Sequence, residues 1–396
     1  MENEIKLPQG FKASAIESGL KKHGGLDMAL VYSDLPAAAA GVFTTNKVKA
    51  APVLVTRENI KGGKARAIVA NAGNANACTG QEGLRNARMT AELIAGALGI
   101  GKGEIMVAST GVIGQQMNMD IVSKAVPELI KNLSSKGLMD AARAVMTTDS
   151  FPKLSMRESV AGGKPFRITG FAKGAGMIMP DMATMLCFIV SDINPEGMEL
   201  NRILKENADK TFNRITVDGD TSTNDTVLLL VNGASSALPV SKEEAVVFSD
   251  LLAQVMDELC TMIVKDGEGA SKLVRITING ARDPMDADRA VRTVGNSSLV
   301  KTAFYGQDPN WGRIMAALGR SGIHMTESKV DIWIDSVKIV EGGMGKGLEA
   351  ERLAGERMHN REFTLTIDLN EGGFSERLLA SDLTHEYVSI NASYRT

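Results

Sequence analysis

Short apolar runs rich in β-branched residues alternate with amphipathic helical patterns along the whole chain. That alternation limits the fold to mixed α and β layers around packed sheets, an α/β or α+β architecture. Residues 29–32, 67–70, 185–190 and 226–231 read as buried strands; 272–279, 329–334 and 362–369 alternate in the manner of strands in the second half. Helical periodicity covers 86–98, closed by Gly99, then 121–133, 140–146, 199–212, 241–264, 286–292 and 347–358. Glu243 and Glu244 fall in the first turn of 241–264, where the helix dipole favours acids. The strands crowded toward the C-terminus predict a more antiparallel second half. No low-complexity linker or short-period repeat marks a boundary, so the two parts of the chain are expected to share packing.

Composition removes several classes of function. Lys and Arg number 44 against 47 Asp and Glu, a net charge of −3, and aromatic residues make up 4%. Neither a basic surface for nucleic acid or anionic lipid nor a base-stacking platform is available. Three widely spaced cysteines suit a reducing compartment. The four scattered histidines do not offer zinc-ligand spacing, so a zinc site is not expected. Residues 1–10 lack the apolar centre of a signal peptide, and no uninterrupted apolar run of about 18 residues appears. A cytoplasmic protein without a membrane span is the expectation.

The most unusual stretch is Lys173-Gly174-Ala175-Gly176-Met177-Ile178-Met179-Pro180-Asp181-Met182-Ala183-Thr184, which leads directly into the apolar strand at 185–190. Glycines permit a tight and strained turn, and Ala183 adds little bulk before Thr184. These conditions suit an N-to-O acyl shift, in which the Thr184 hydroxyl attacks the carbonyl of Ala183 and water then frees a new N-terminus. A free α-amine titrates near pH 8 and so serves as base for its own hydroxyl, with no histidine required. The same residues also fit a plain glycine-rich turn entering a core strand. Three other segments carry a similar choice. Ser109-Thr110-Gly111 offers a hydroxyl beside an unhindered N–H, suited to an oxyanion or merely to a strand-to-turn connection. The amide-rich loop Asn71-Ala72-Gly73-Asn74-Ala75-Asn76 either lines a site or forms a turn network. Asp266-Gly267-Glu268-Gly269-Ala270 either binds an amine or caps the next element, and the polar tail 391–396 is expected to fray.

Taken in order, these runs, with Thr147-Thr148-Asp149 and Asp308-Pro309-Asn310-Trp311-Gly312-Arg313, closely resemble the ornithine acetyltransferase family, the glutamate N-acetyltransferases of arginine biosynthesis. The resemblance runs from about Gly41 to Thr396. It implies an N-terminal-nucleophile-like layered fold, with β-sheets between helical layers and two lobes. It also implies self-cleavage between Ala183 and Thr184 into an α subunit, 1–183, and a β subunit, 184–396, which fold together and stay associated as an α₂β₂ heterotetramer. By the same resemblance Thr184 is the nucleophile and Thr110 with Gly111 the oxyanion hole. Thr147, Lys173, Thr184, Glu268, Asn391 and Thr396 are substrate-binding positions. The reaction implied moves an acetyl group from N2-acetyl-L-ornithine to L-glutamate through an acetyl-threonine, and acetyl-CoA stays open as a second donor. A Thr-dependent amidohydrolase or aminopeptidase of related fold would pass the acyl group to water instead. The run after Thr147 departs slightly, with Ser150 where many relatives carry threonine.

Overall fold

The computed structural model describes residues 4–179 and 185–393. The chain divides into two compact units, one running to Asn213 and resuming over Asp220–Ile263, the other formed by Arg214–Gly219 and the chain from Val264 onward.

The first unit is built on β1 (Phe11–Ile16), β2 (Met28–Phe43), β3 (Lys64–Asn71), β4 (Ile105–Ser109), β5 (Lys153–Ala161), β6 (Lys164–Lys173) and β7 (Leu186–Ser191); after β8 (Ile215–Thr216), which belongs to the second unit, it takes β9 (Thr226–Val231). Among the described residues the strand order is β4-β3-β2-β9-β7-β6-β5, with β1 also on β2. Period-two patterning sends successive side chains to opposite faces. Ala67 and Val69 of β3 join Leu30, Ile105 and Val107 beneath helices Ala51–Asn59, Gly80–Leu98 and Met119–Lys131. Ile68 and Ala70 pack on the other face with Met106, Phe171, Phe188, Leu228 and helix Leu138–Ala144.

Two features of this sheet place the site. The first is β2, whose register against β3 shifts between Tyr32 and Ala37. Its first part pairs with β3 and its last six residues, Ala38–Phe43, pair with β9. Such an irregularity, here with Pro36 inside it, bends a strand. The second is interleaving. β7 lies between β6 and β9, antiparallel to the former and parallel to the latter. Strands from before and after residues 183 and 184 therefore share one hydrogen-bonded sheet.

The second unit has the order β13-β12-β11-β14-β10-β15-β8, with β10 (Leu273–Ala281), β11 (Asp331–Ile334), β12 (Val337–Glu341), β13 (Met344–Gly345), β14 (Glu362–Asp368) and β15 (Phe374–Ser381). Val274, Ile276, Ile278, Leu365 and Ile367 face one apolar cluster, covered by helices Pro284–Gly295, Ser298–Tyr305, Trp311–Gly319 and Leu348–Met358. The alternate positions are Arg275, Thr277, Thr364 and Thr366, so the helices lie on one face of this sheet.

The expected elements are present with shifted ends, and two expectations are corrected. The second half is not the more antiparallel, because β10 pairs parallel with β14 and β8 parallel with β15, matching the two parallel pairings of the first sheet. Long helical crossovers between β10 and β14 make a parallel pair feasible there. The polar tail does not fray at its start: Asn391 lies in the last turn of helix His385–Ser393. Thr384 anchors that helix, its hydroxyl donating to the Gly269 carbonyl at 2.8 Å and accepting from the Tyr387 N–H. Helix Gly80–Leu98 also begins six residues before its apolar periodicity, held by the Asn76 side-chain amide, which donates to the Gly83 carbonyl.

Candidate functional site

The first unit brings together Thr110, Gly111, Lys173 and, through Asp149, Thr147. β3 and β4 run parallel and end level with one another, Asn71 opposite Ser109. The loops that follow press together. Gly111 has φ +128°, and a Cβ there would lie 2.4 Å from the Gly73 carbonyl carbon. Only glycine fits a backbone approach this close.

The amide-rich loop is a turn network that holds its neighbour in place. The Asn71 amide donates to the Asn74 carbonyl at 2.9 Å, and the Ser109 hydroxyl to Asn71 Oδ1 at 2.6 Å. Asn74 bonds the Gln115 and Gln116 carbonyls, and its Oδ1 accepts the Asn76 N–H. Thr110 N–H goes to the Asn71 carbonyl and Val112 N–H to the Gly73 carbonyl. The Gly111 N–H between them takes part in none of these bonds. A hydroxyl and an N–H thus stand side by side on a braced backbone, the arrangement an oxyanion needs.

Lys173, the last residue of β6, is 4% exposed, and its Nζ donates to Thr110 Oγ1 at 3.3 Å. Behind it lies Asp149, which the sequence analysis passed over as a site residue although it closes the Thr147-Thr148-Asp149 run. Its carboxylate accepts from Lys153 Nζ at 2.6 Å, Gly174 N–H at 2.7 Å and Thr147 N–H at 3.0 Å. It therefore ties the Thr147 turn to the end of β6. Burial opposes its charge, but Lys173 and Lys153 outweigh burial, and with the hydrogen bonds they hold the carboxyl down at about 2. Burial also lowers the Lys21 ammonium, which feels Asp27, Asp149 and Lys173. Lys21, Lys153 and Lys173 thus gather around Asp27 and Asp149, and Lys173 also faces Asp225.

This cluster has a consequence for stability. Asp149 titrates at about 2 when folded and at 3.8 in its ordinary state, so folding favours the ionised form. The stabilisation is complete above pH 4 and disappears as pH falls toward 2, a difference of about 2 kcal/mol. Urea midpoints measured across that range should drop more steeply for the wild type than for Asp149→Asn. Parallel curves would show that Asp149 is not held ionised.

Met185, which leads into β7, meets this region through Asn224 and Asp225, also missed in the sequence. The Asn224 amide donates to the Ala75 carbonyl at 2.7 Å and the Ser109 carbonyl at 2.8 Å. Asp225 Oδ1 accepts the Met185 N–H at 3.0 Å. The available signal was five polar residues, 221–225, running straight into an apolar strand, of which all but the first are buried.

The second unit pairs two predicted positions. Asn391 Nδ2 donates to Glu268 Oε2 at 2.8 Å, and Glu268 is 8% exposed. Gly269, with φ +66°, brings its turn against the start of helix His385–Ser393, where a Cβ would come within 2.5 Å of the Tyr387 nitrogen. Asp382 fixes the next residues, accepting the Ser271 and Lys272 N–H groups. Glu268 is thus a carboxylate held on a rigid turn, suited to a cationic group. Ala183, Thr184 and Thr396 lie outside the described residues. Among the described residues no group of three or more His, Cys, Asp and Glu is placed to hold a metal, and no helix is long and apolar enough to cross a membrane.

Comparison with known proteins gives a consistent picture. The model of the ArgJ family matches residues 12–396. The arginine biosynthesis bifunctional protein ArgJ of Geobacter sulfurreducens is 49% identical over 390 residues, spanning 98% of this chain and 99% of that protein. The glutamate N-acetyltransferase of Methanocaldococcus jannaschii is 44% identical over 409 residues, spanning 100% and 99%. Among solved structures, the ornithine acetyltransferase of Mycobacterium tuberculosis complexed with ornithine is 40% identical, covering 45% of this chain and 94% of that one at a TM-score of 0.41.

Proposed function

The chain belongs to the ArgJ family, and we propose that it is an acetyltransferase of arginine biosynthesis that cuts itself before Thr184 and then uses Thr184 to carry acetyl from N2-acetyl-L-ornithine to L-glutamate. The observation that carries this reading is the Lys173 ammonium set 3.3 Å from Thr110 Oγ1, beside the Gly111 N–H. A buried cation, a hydroxyl and an amide donor at one point suit a carbonyl oxygen that gains negative charge.

In the cut, Thr184 Oγ adds to the Ala183 carbonyl carbon, the peptide C–N bond breaks, and the proton passes to the released amine. Water then hydrolyses the ester, leaving a carboxylate on Ala183 and the hydroxyl on Thr184. In turnover, the Thr184 amine takes the hydroxyl proton while Oγ attacks the acetyl carbonyl. Thr110 and Gly111 hold the oxyanion, and ornithine leaves with the proton. The glutamate α-amine then attacks the acetyl-threonine ester, and Thr184 recovers its proton as N-acetylglutamate departs. This is a ping-pong cycle. Lys173, near the Thr147 turn that Asp149 braces, is suited to a substrate carboxylate; separately, Glu268 with Asn391 is suited to an ammonium group such as that of the ornithine side chain. Thr396 completes the substrate contacts.

The chemistry requires neither metal nor bound cofactor, and acetyl-CoA would enter as a second donor to the same acetyl-threonine. The fragments 1–183 and 184–396 act together as an α₂β₂ assembly in the cytoplasm. The test is a product assay on purified protein with acetylornithine, with and without glutamate. N-acetylglutamate should form in step with ornithine. Equal ornithine release with free acetate, indifferent to glutamate, would instead mark a hydrolase.

A further inference from the structure

We propose that Asn224 and Asp225 are positioning residues that align the nucleophile with the oxyanion loop, Asp225 fixing the backbone just after Thr184 and Asn224 the backbone just before Thr110. The inference rests on Thr184 being the nucleophile.

Met185 N is bonded to the carbonyl carbon of Thr184, so whatever holds the Met185 N–H fixes where the nucleophile's backbone ends. Asp225 Oδ1 holds it, and the Thr226 N–H holds the Met185 carbonyl at 3.0 Å. Asp225 is 2% exposed, its backbone carbonyl accepts from Thr44 N–H, and its Oδ2 has no hydrogen-bond partner among the described residues. Burial pushes this carboxyl well above the ordinary range, against the Met185 N–H, the Thr44 hydroxyl, Lys173 and the Ser222 hydroxyl. Burial thus disfavours the ionised form, and the part Asp225 plays toward Met185, accepting one N–H through Oδ1, is one an asparagine side-chain carbonyl can take over.

On the other side, Ser109 is bonded to Thr110. The Asn224 amide clamps the Ser109 carbonyl and, through Ala75, the loop that braces Gly111. The Asn224 side chain is itself oriented, its Oδ1 accepting the Thr223 hydroxyl at 2.6 Å and its N–H donating to Ser222 Oγ at 3.0 Å. Two adjacent residues therefore join backbones 76 residues apart in sequence (109 and 185), neither through a group that meets substrate. Small misplacements of reacting groups carry large rate penalties.

The experiment follows Asn224→Ala, Asp225→Ala and Asp225→Asn in the full chain, measuring the rate of fragment appearance on denaturing gels and kcat and KM for acetyl transfer. Both alanine variants should cut themselves more slowly and lose about 10- to 100-fold in kcat with KM little changed, and Asp225→Asn should restore most of both rates. A role in stability alone would lower the melting temperature and leave kcat intact. Alanine variants that cut and turn over as the wild type does, or losses carried by KM, overturn the inference while the Thr184 reading stands. So does an Asp225→Asn variant as slow as Asp225→Ala. If Asp225→Ala does not fold, the isosteric Asp225→Asn and the Asn224→Ala kinetics decide it by the same criteria. An intact wild-type chain with full activity removes the premise instead.

Discussion

The Thr184→Ala protein is expected to run as one 396-residue chain on a denaturing gel and to transfer no acetyl above background, a loss of at least about 10⁴-fold. Both effects have one cause. In the proposed mechanism the hydroxyl that opens the Ala183–Thr184 bond is the hydroxyl that later carries acetyl, and the amine that activates it exists only once the bond has opened. The Lys173–Thr110 contact, the Asp149 bonds and the Glu268–Asn391 pair do not depend on that hydroxyl. The variant should therefore still bind acetylornithine in a calorimeter. Two fragments from this variant, the second starting at residue 184, would rule out the proposed cut.

Thr110→Ala is expected to lower kcat by about 10²–10³-fold, with little change in KM and no change in the site of scission. In the proposed mechanism the Thr110 hydroxyl faces charge that develops only during acyl transfer, so its loss would weaken the transition state more than the bound substrate. The fold should tolerate the change. The Thr110 backbone is held by its N–H to the Asn71 carbonyl, by Asn224 on the preceding carbonyl and by the contact of Gly111 with Gly73. A variant with wild-type kcat would remove Thr110 from the oxyanion site.

What the sequence revealed follows what patterning can encode. Alternation marked the buried strands, because period-two burial leaves its imprint residue by residue; the strand at 226–231 was read to its ends. Motifs marked Thr110, Gly111, Lys173, Glu268 and Asn391, because each sits in a run of distinctive residues. The pairing of Lys173 with Thr110 and of Asn391 with Glu268 was not legible, since each joins segments more than sixty residues apart. Asp149, Asn224 and Asp225 were missed for the opposite reason. They are polar residues whose importance comes from burial and backbone contacts; the runs 147–149 and 221–225 were visible, but not which of their residues would be bonded to backbone groups. Strands β5 and β6 escaped because buried polar residues break their apolar pattern, Lys153 and Ser155 in β5 and Thr169 and Lys173 in β6.

The sheet of the first unit, with β7 hydrogen-bonded between β6 and β9, carries a lesson about the order of events. Each piece of a severed chain would own only part of one hydrophobic interior, so folding is expected to precede the cut, while the search still runs within one chain. Once cut, it would have lost the linkage that made that search intramolecular. Mature enzyme unfolded in urea should then fail to recover on dilution, whereas the unprocessed Thr184→Ala chain recovers. Its durability would rest on the slowness of coming apart rather than on the ease of going back.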